Sequence, residues 1–358
     1  MLQTLTPPTG RRTVTIHDVA AELGMHKSTV SLALSGKGNV SSATRARVMQ
    51  VATEMGYQPN PLAQRLANGV NNSLVCLCSG GLDVGLTTEK VLLIQKQLGK
   101  LSLEVPIYTF SEWSNEIANS QASQVRNLCR QQPRAIVCAA HALNPSVFEE
   151  LNQYQIDGGI VVAYDIEVPI NCDQVIFDRN DNAYQGAKYL IEQGHREIGI
   201  GLSVPEQWHI DEGNTPQHQR LAGFRRALEE AGLPFREEWL FRHSTYEIGG
   251  AEMAKHYLES KQKPTALCVV NDYVALAFMV EMARHGIRVP EDVSLVGHDN
   301  QPVASYCPVP LTSISQPVER IATQVVELLA ARLAGDRSDP KKSIIRGDLI
   351  ERQSVSKR

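Results

Sequence analysis

Residues 15–40 read TIHDVAAELGMHKSTVSLALSGKGNV, and the spacing of their apolar side chains decides how the head of the chain folds. Ile16, Val19, Ala20 and Leu23 stand at i, i+3, i+4 and i+7, the interval that lines one face of a helix. Thr13 and Thr15 offer caps ahead of that helix and Gly24 a stop behind it. The next run, Lys27 to Leu34, wound at about 100° per residue, places Val30, Ala33 and Leu34 on one side. Lys27, Ser28, Ser31, Leu32 and Ser35 fall on the other, so Leu32 points outward among polar groups. A third helix is predicted from Ser42 to Met55, with Val48, Val51, Ala52 and Met55 as its inner stripe and Gly56 as its stop. Three short helices with a glycine turn between the first two make a helix-turn-helix arrangement. Periodicity alone suits a small helical bundle with no nucleic-acid role as well.

Charge separates this head from the rest. Residues 1–70 carry seven cations (Arg11, Arg12, Lys27, Lys37, Arg45, Arg47, Arg65) against Asp18, Glu22 and Glu54, a balance of +4, whereas the whole chain is −4. The remainder therefore holds −8, and a basic head on an acidic body points to a polyanion met by the head alone. The seven cysteines are scattered and lie mostly in apolar runs such as Leu74-Val-Cys-Leu-Cys78, which reads as buried reduced thiols in a cytosol. Cys76-x-Cys78 has no second Cys/His pair at matching spacing, so no metal site is expected. The first fifteen residues lack the apolar run of a secretory signal, and no run reaches the roughly 18 apolar residues of a membrane span. A soluble cytoplasmic protein with no membrane partner is expected.

The text from Thr15 to Gly69 resembles, without a gap, the DNA-binding head of the lac repressor family of bacterial transcription regulators. The matching pieces are Thr15-Ile16-x-Asp18-Val19-Ala20, Ser28-Thr29-Val30-Ser31, Val40-Ser41, Thr44-Arg45, Gly56-Tyr57-x-Pro59-Asn60 and Ala63-x-x-Leu66. The resemblance implies that the second helix lies in the major groove of double-stranded operator DNA, with Lys27 and Ser28 facing base edges and Thr29 and Leu32 on the same helix. It also implies that Thr15, Ser31, Asn39 and Thr44 hold phosphates, which sets register without reading sequence. Residues 59–69, PNPLAQRLANG, resemble the family's hinge, helical when two copies pair on DNA. Asn60, Ala63 and Leu66 would then meet the minor groove, with Leu66 as a wedge at the operator centre. Pro59, Pro61 and Gly69 would also suit a plain linker.

Beyond the hinge, apolar runs alternate with amphipathic ones. Strands are predicted at 73–78, 104–110, 135–139, 159–164, 197–202, 265–270 and 293–297, and helices at 88–98, 182–193, 219–231 and 272–285. A βαβα pattern implies parallel sheets covered by helices on both faces, and the length fits two lobes. The resemblance continues in YLIEQGHREIGIG, RLAGFRRALEEAGL, NDYVALAFMVEMARHGIRVPEDVSLVGHDN and PLTSISQPVERIA. It implies an α/β two-lobed body like that of periplasmic binding proteins, with a ligand cleft between the lobes. The proline-aromatic loop common in the family after the first body strand is replaced here by Ser79-Gly-Gly-Leu-Asp-Val-Gly-Leu86, so no ligand contact carries over from it. The expected division is an unstructured extension over 1–12, the all-α helix-turn-helix head over 13–58, the hinge helix over 59–70 and the body over 71–358. Within the body the first lobe is taken as about 71–192 plus 316–341, and the second as about 193–315 plus a C-terminal strand.

In open α/β sheets, ligands lie beyond the carboxyl ends of strands, which is where Asn271 and Asp299 fall. By resemblance Arg220 is the cleft arginine, Asp299 and Asn271 the cleft acid and amide, and Asp178 an acid near the cleft. Trp208, with His209, and Tyr246 can offer a stacking platform. An arginine that donates a fork of hydrogen bonds, opposite an acid that accepts them, suits a sugar or a nucleoside. No dinucleotide, nucleophile-elbow or phosphate-loop motif is present, so neither catalysis nor a cofactor is expected. The resemblance implies a homodimeric repressor on a pseudo-palindromic operator, its affinity controlled by a small effector, a carbohydrate or related metabolite. The chain ends at IERQSVSKR, without a terminal heptad segment, so a dimer is expected rather than a tetramer. A solute-binding or sugar-processing protein would use the same cleft.

Overall fold

The computed structural model describes residues 14–35, 39–57, 71–80, 86–110, 115–203, 215–244 and 246–358. The expected extension over 1–12 and hinge over 59–70, with Asn60, Ala63 and Leu66, lie outside the described residues. The chain divides into two compact units, Met1–Asn71 and Asn72–Arg358.

The first unit holds helices α1 (Ile16–Leu23), α2 (Lys27–Ser35) and α3 (Ser42–Glu54). Thr15 starts α1 with a reciprocal cap. Its N–H donates to Asp18 Oδ2 at 2.8 Å, and its Oγ1 accepts the Asp18 N–H at 3.4 Å. Gly24, at φ +62°, takes the left-handed conformation that ends α1 and aims the chain into α2. Ser41 caps α3, its Oγ accepting the Thr44 N–H at 3.1 Å. Val19, Ala20, Leu23, Val30, Ala33, Val48 and Ala52 form the buried centre, with Leu34, Val51 and Met55 packed against it. The inward stripe of α2 is thus Val30 and Ala33, and Leu32 stands opposite, 42% exposed.

Among its described residues the second unit contains two six-stranded sheets. The first lobe's strands are β1 (Asn71–Ser79), β2 (Ile107–Thr109), β3 (Pro133–Ala139), β4 (Ile160–Asp165), β5 (Asp173–Phe177) and β11 (Lys342–Ile345), ordered β11-β5-β4-β3-β1-β2. The second lobe's are β6 (Ile198–Ser203), β7 (Leu240–His243), β8 (Ala266–Val269), β9 (Ser294–Asp299), β10 (Thr312–Ser315) and β12 (Leu349–Ile350), ordered β12-β10-β9-β8-β6-β7. The described pairings are parallel except that of β12 with β10. Each sheet repeats the doubly wound order, in which the strand sequence reverses next to the first strand of the lobe.

Parallel strands covered on both faces read as apolar runs because both faces need filling. In the first lobe, helices α4 (Leu86–Gly99) and α12 (Val318–Leu333) cover one face, and α5 (Asn115–Arg130) and α6 (Val147–Ile156) the other. In the second, α7 (Arg179–Glu192) and α8 (Pro216–Glu230) oppose α9 (Tyr246–Glu259) and α10 (Asp272–Arg284) across the sheet. A short α11 (Val303–Tyr306) follows β9. Helix α7, which the sequence reading carried in the first lobe, buries Ala187, Tyr189 and Leu190 in the second lobe's core instead. The chain therefore changes lobe near Asp178, because the apolar stripe of α7 matches α8 and the second sheet. Cys76 and Cys78 share one buried face of β1, as period-two geometry requires, and none of the seven cysteines is joined in a disulfide.

Three segments join the lobes, around Asp178, around Gln316-Pro317 and over 346–348. They are tied together by Asn182, whose Nδ2 donates to Ser315 O at 3.1 Å and whose Oδ1 accepts from the Gly347 N–H at 3.2 Å. Gly347 must be glycine here, since a Cβ would lie 1.8 Å from Ser315 O.

Candidate DNA-binding face and effector cleft

On the head, the side of α2 opposite its buried stripe presents Lys27, Ser28, Ser31 and Leu32, all exposed, with Thr29 half-buried beside them. The Ser28 hydroxyl lies 2.7 Å from His26 Nδ1, a neighbour that fixes its direction and that sequence reasoning had not singled out. Thr15 and Asn39 are exposed; Thr44 is half-buried, with its hydroxyl 2.8 Å from Ser41 Oγ. Thr15 thus carries its cap and still faces solvent, as a phosphate contact requires.

The body's site is built at the strand ends. Asp165 closes β4 and Asp299 closes β9, equivalent positions in the two sheet orders, and both take positive φ, +97° and +96°. Such backbone is uncommon outside glycine, costs about 1–3 kcal/mol, and gathers at ligand sites. Both acids line a cavity of about 330 Å³. Lys90 and His141 join Asp165 from the first lobe, Arg220, Asn271 and Gln301 come from the second, and Arg179 and Gln316 stand at the crossings.

Asp165 is the electrostatic centre of the first-lobe wall. Its Oδ1 accepts from Lys90 Nζ at 2.9 Å and pairs with Arg179 Nη2 at 2.8 Å, while Oδ2 contacts His141 Nδ1. Arg179 also donates to the Asp165 carbonyl at 3.0 Å. Burial opposes the Asp165 charge, but Arg179 and Lys90 outweigh it and hold the carboxyl well below the usual range. Burial lowers the Lys90 ammonium from its ordinary value, with Asp165 pulling the other way. Arg220 is lowered to about 10 by burial and then by Arg179, and its described hydrogen bond is to the neutral Gln217 Oε1, at 3.3 Å.

Asn271 caps α10, its Oδ1 accepting the Tyr273 and Val274 N–H groups at 3.0 and 3.3 Å, which leaves the NH₂ group as what it offers a ligand. Behind Asp299, the carboxyl of Asp272 accepts from the Gln301 N–H at 2.6 Å and Ser313 Oγ at 2.7 Å. Burial, then Asp299, push Asp272 well above the carboxylate range. Among the described residues no group of three or more His, Cys, Asp or Glu is placed to hold a metal ion.

Of the sequence-predicted ligand residues, Arg220, Asn271 and Asp299 meet in this cavity. Asp178 does not line it. Its carboxylate caps α7, accepting the Asp181 N–H at 2.9 Å, and faces Arg346 at 3.3 Å, because the helix begins at the next residue. Trp208 and His209 lie outside the described residues, as does the side chain of Tyr246, the first residue of α9. Sequence reasoning missed Asp165, Lys90, Arg179 and His141. Asp165 had a signal, since it follows the apolar run of β4 just as Asp299 follows that of β9.

Comparison with known proteins places these parts. Residues 15–60 match the model of bacterial regulatory proteins of the lacI family, and residues 187–355 that of a periplasmic binding protein-like domain. The chain is 27% identical over 351 residues to the HTH-type transcriptional repressor PurR of Vibrio parahaemolyticus serotype O3:K6 (strain RIMD 2210633), covering 96% of this chain and 99% of that one. It is 29% identical over 368 residues to the PurR repressor of Yersinia pestis bv. Antiqua (strain Antiqua), covering 96% and 97%. Its fold is similar to the lac repressor dimer bound to operator and the anti-inducer ONPF, at TM-score 0.79, 22% identity and coverage of 96% and 100%. The chain thus joins a lacI-type DNA-binding head to a periplasmic binding protein-like body.

Proposed function

We propose that the protein is an effector-controlled, sequence-specific DNA-binding transcription repressor that works as a homodimer. The observation that carries this reading is the lacI-family head, whose second helix turns Lys27, Ser28, Ser31 and Leu32 outward from the buried Val30 and Ala33. Lys27 and Ser28 read base edges, Thr29 and Leu32 lie beside them in the groove, and Thr15, Ser31, Asn39 and Thr44 set register on phosphates. Asn60, Ala63 and Leu66 engage the minor groove from the hinge. The small effector binds in the body cavity through Arg220, Asn271 and Asp299, joined by Lys90, Asp165 and Arg179, and its binding shifts the angle between the lobes. A coupling of about 1–3 kcal/mol between the two sites is enough for regulation.

The cavity is a binding site rather than a catalytic one. Its buried carboxylate Asp165 is already engaged by Lys90, Arg179 and His141, which favours recognition over proton transfer. No helix among the described residues is long and apolar enough to cross a membrane. Dimerisation is assigned to the second lobe, where Ala251, Leu276, Ala277 and Val280 line an apolar groove on α9 and α10 beside the exposed Ile248.

The test is selection of binding sites from random DNA with the full chain, followed by gel-shift titration with and without candidate effectors. Recovery of a two-fold symmetric site whose affinity changes with an effector supports the reading. Absence of any preferred sequence, or turnover of a bound sugar, would sink it.

A further inference from the structure

We propose that the effector carries an anionic group, a phosphate or a carboxylate, that seats among Lys90, Arg179 and Arg220. The inference rests on the cavity being the effector site and goes on to the charge of what fills it.

Lys90, Arg179 and Arg220 are 2%, 5% and 9% exposed, and all three line the cavity. Two carboxylates, Asp165 and Asp299, share the lining with them, so the wall has one more fixed cation than anion. Asp299 acts on Arg220 from the second lobe, while Asp165 is shared among several partners. The Asp165 Oδ1 already serves both Lys90, at 2.9 Å, and Arg179, at 2.8 Å, and its Oδ2 serves His141. Burial leaves the surplus charge poorly solvated, which the lowered value of Arg220 records.

The polar supply points the same way. Lysine and arginine only donate, Asn271 has committed its oxygen to the α10 cap, and the strongest acceptor of the first-lobe wall is occupied. Such a wall favours a ligand rich in acceptors. An oxyanion meets that need and offsets the surplus positive charge, whereas a neutral sugar would bring hydroxyl protons to a wall whose second carboxylate, Asp299, is the charged acceptor left to take them.

The test is calorimetric titration of the full chain with matched probes: glucose against glucose 6-phosphate and gluconate, adenosine against adenosine monophosphate, and inorganic phosphate alone. We expect the charged member of a pair to bind about tenfold or more tighter than the neutral one, the ratio that a charge-assisted bond supplies. Tighter binding of the phosphates identifies a phosphate seat; tighter binding of gluconate identifies a carboxylate seat. Lys90→Met should erase the preference. Should that variant fail to fold, the falling affinity of the wild-type protein for the charged probes with rising salt is the substitute measurement.

A neutral probe that binds as tightly as its charged partner, and is lost in Arg220→Ala, overturns the anionic seat and leaves the cavity as effector site. Probes that bind unaffected by Arg220→Ala and Asn271→Ala overturn the site itself. No binding of any charged probe at millimolar concentration also overturns the proposal.

Discussion

In the proposed docking, Leu32 shapes the DNA target by what it cannot do. It is 42% exposed on the outward side of α2, where an arginine would grip a guanine by two hydrogen bonds worth about 1–3 kcal/mol of discrimination. A leucine offers only apolar contact, as to a thymine methyl. Sites selected by the wild-type protein should therefore lack a strict guanine opposite it, and Leu32→Arg should introduce one; an unchanged preference would refute the docking. A second residue-scale prediction concerns His298, buried behind Asp299 and pushed down to about 4 by burial and then by Arg220. It stays neutral in the fold while the unfolded chain takes up a proton below about 6.5, so stability present above that pH is lost on descent towards 4. The loss is at most about 3 kcal/mol. His195 and His243, also lowered by burial, act in the same window. Urea unfolding between about pH 7 and 5 should show the slope, and His298→Gln should flatten it. Below the ordinary carboxylate range, protonation of Asp165 removes a further contribution. At this scale the sequence told most where a strand end announced a residue, as for Asn271 and Asp299. Lys90 was illegible, because a lysine in an amphipathic helix reads as solvent-facing and only the packing of α4 turns it inward.

Burial made some elements legible, though the buried strands β5 and β10 were not predicted. The runs that became β1, β3, β4, β6, β8 and β9 stand out because both faces of a covered parallel sheet take apolar side chains. The edge strand β11, whose burial alternates along Lys342–Ile345, was not seen, and β12, of two residues, was anticipated only as a C-terminal strand without bounds. The long helices α5 and α12 were also unplaced, though their apolar residues fill both faces of the first lobe. Helix packing gives a sharp prediction at Gly223, where α8 approaches the start of α7 so closely that a Cβ would lie 1.9 Å from Asn180 O. Gly223→Ala must separate the two helices, since backbone cannot rotate away as a side chain can. It should lower unfolding stability by about 1–3 kcal/mol or more, measured by urea denaturation. Gly232→Ala, in open space at φ +66°, reports backbone strain alone and is its control.

At the scale of the molecule, the two lobes repeat one strand order and contribute one acid each from the same rung, Asp165 and Asp299. Resemblance made the two-lobed body and its crossing near Gln316 legible, but it placed the first crossing at 192 rather than near Asp178, since the assignment of α7 depends on which core its apolar stripe fits. The assembly is testable through the groove beside Val280, 36% exposed on α10. Val280→Asp would place an unpaired charge in an apolar contact, at a cost of several kcal/mol, and should convert dimer to monomer in sedimentation. A dimer that persists unchanged would move the interface elsewhere. The knot of Asn182, Ser315 and Gly347 has a mechanical consequence of its own. One amide pins two of the three crossings, and the third leads directly into the helix that carries it. The lobes therefore cannot slide past one another without tearing that amide's bonds, and the motion left to them is a swing about a fixed fulcrum. Groups beside the pin travel least and groups at the far rim travel most, so a small change in the fit of a ligand is amplified with distance, as along a lever arm.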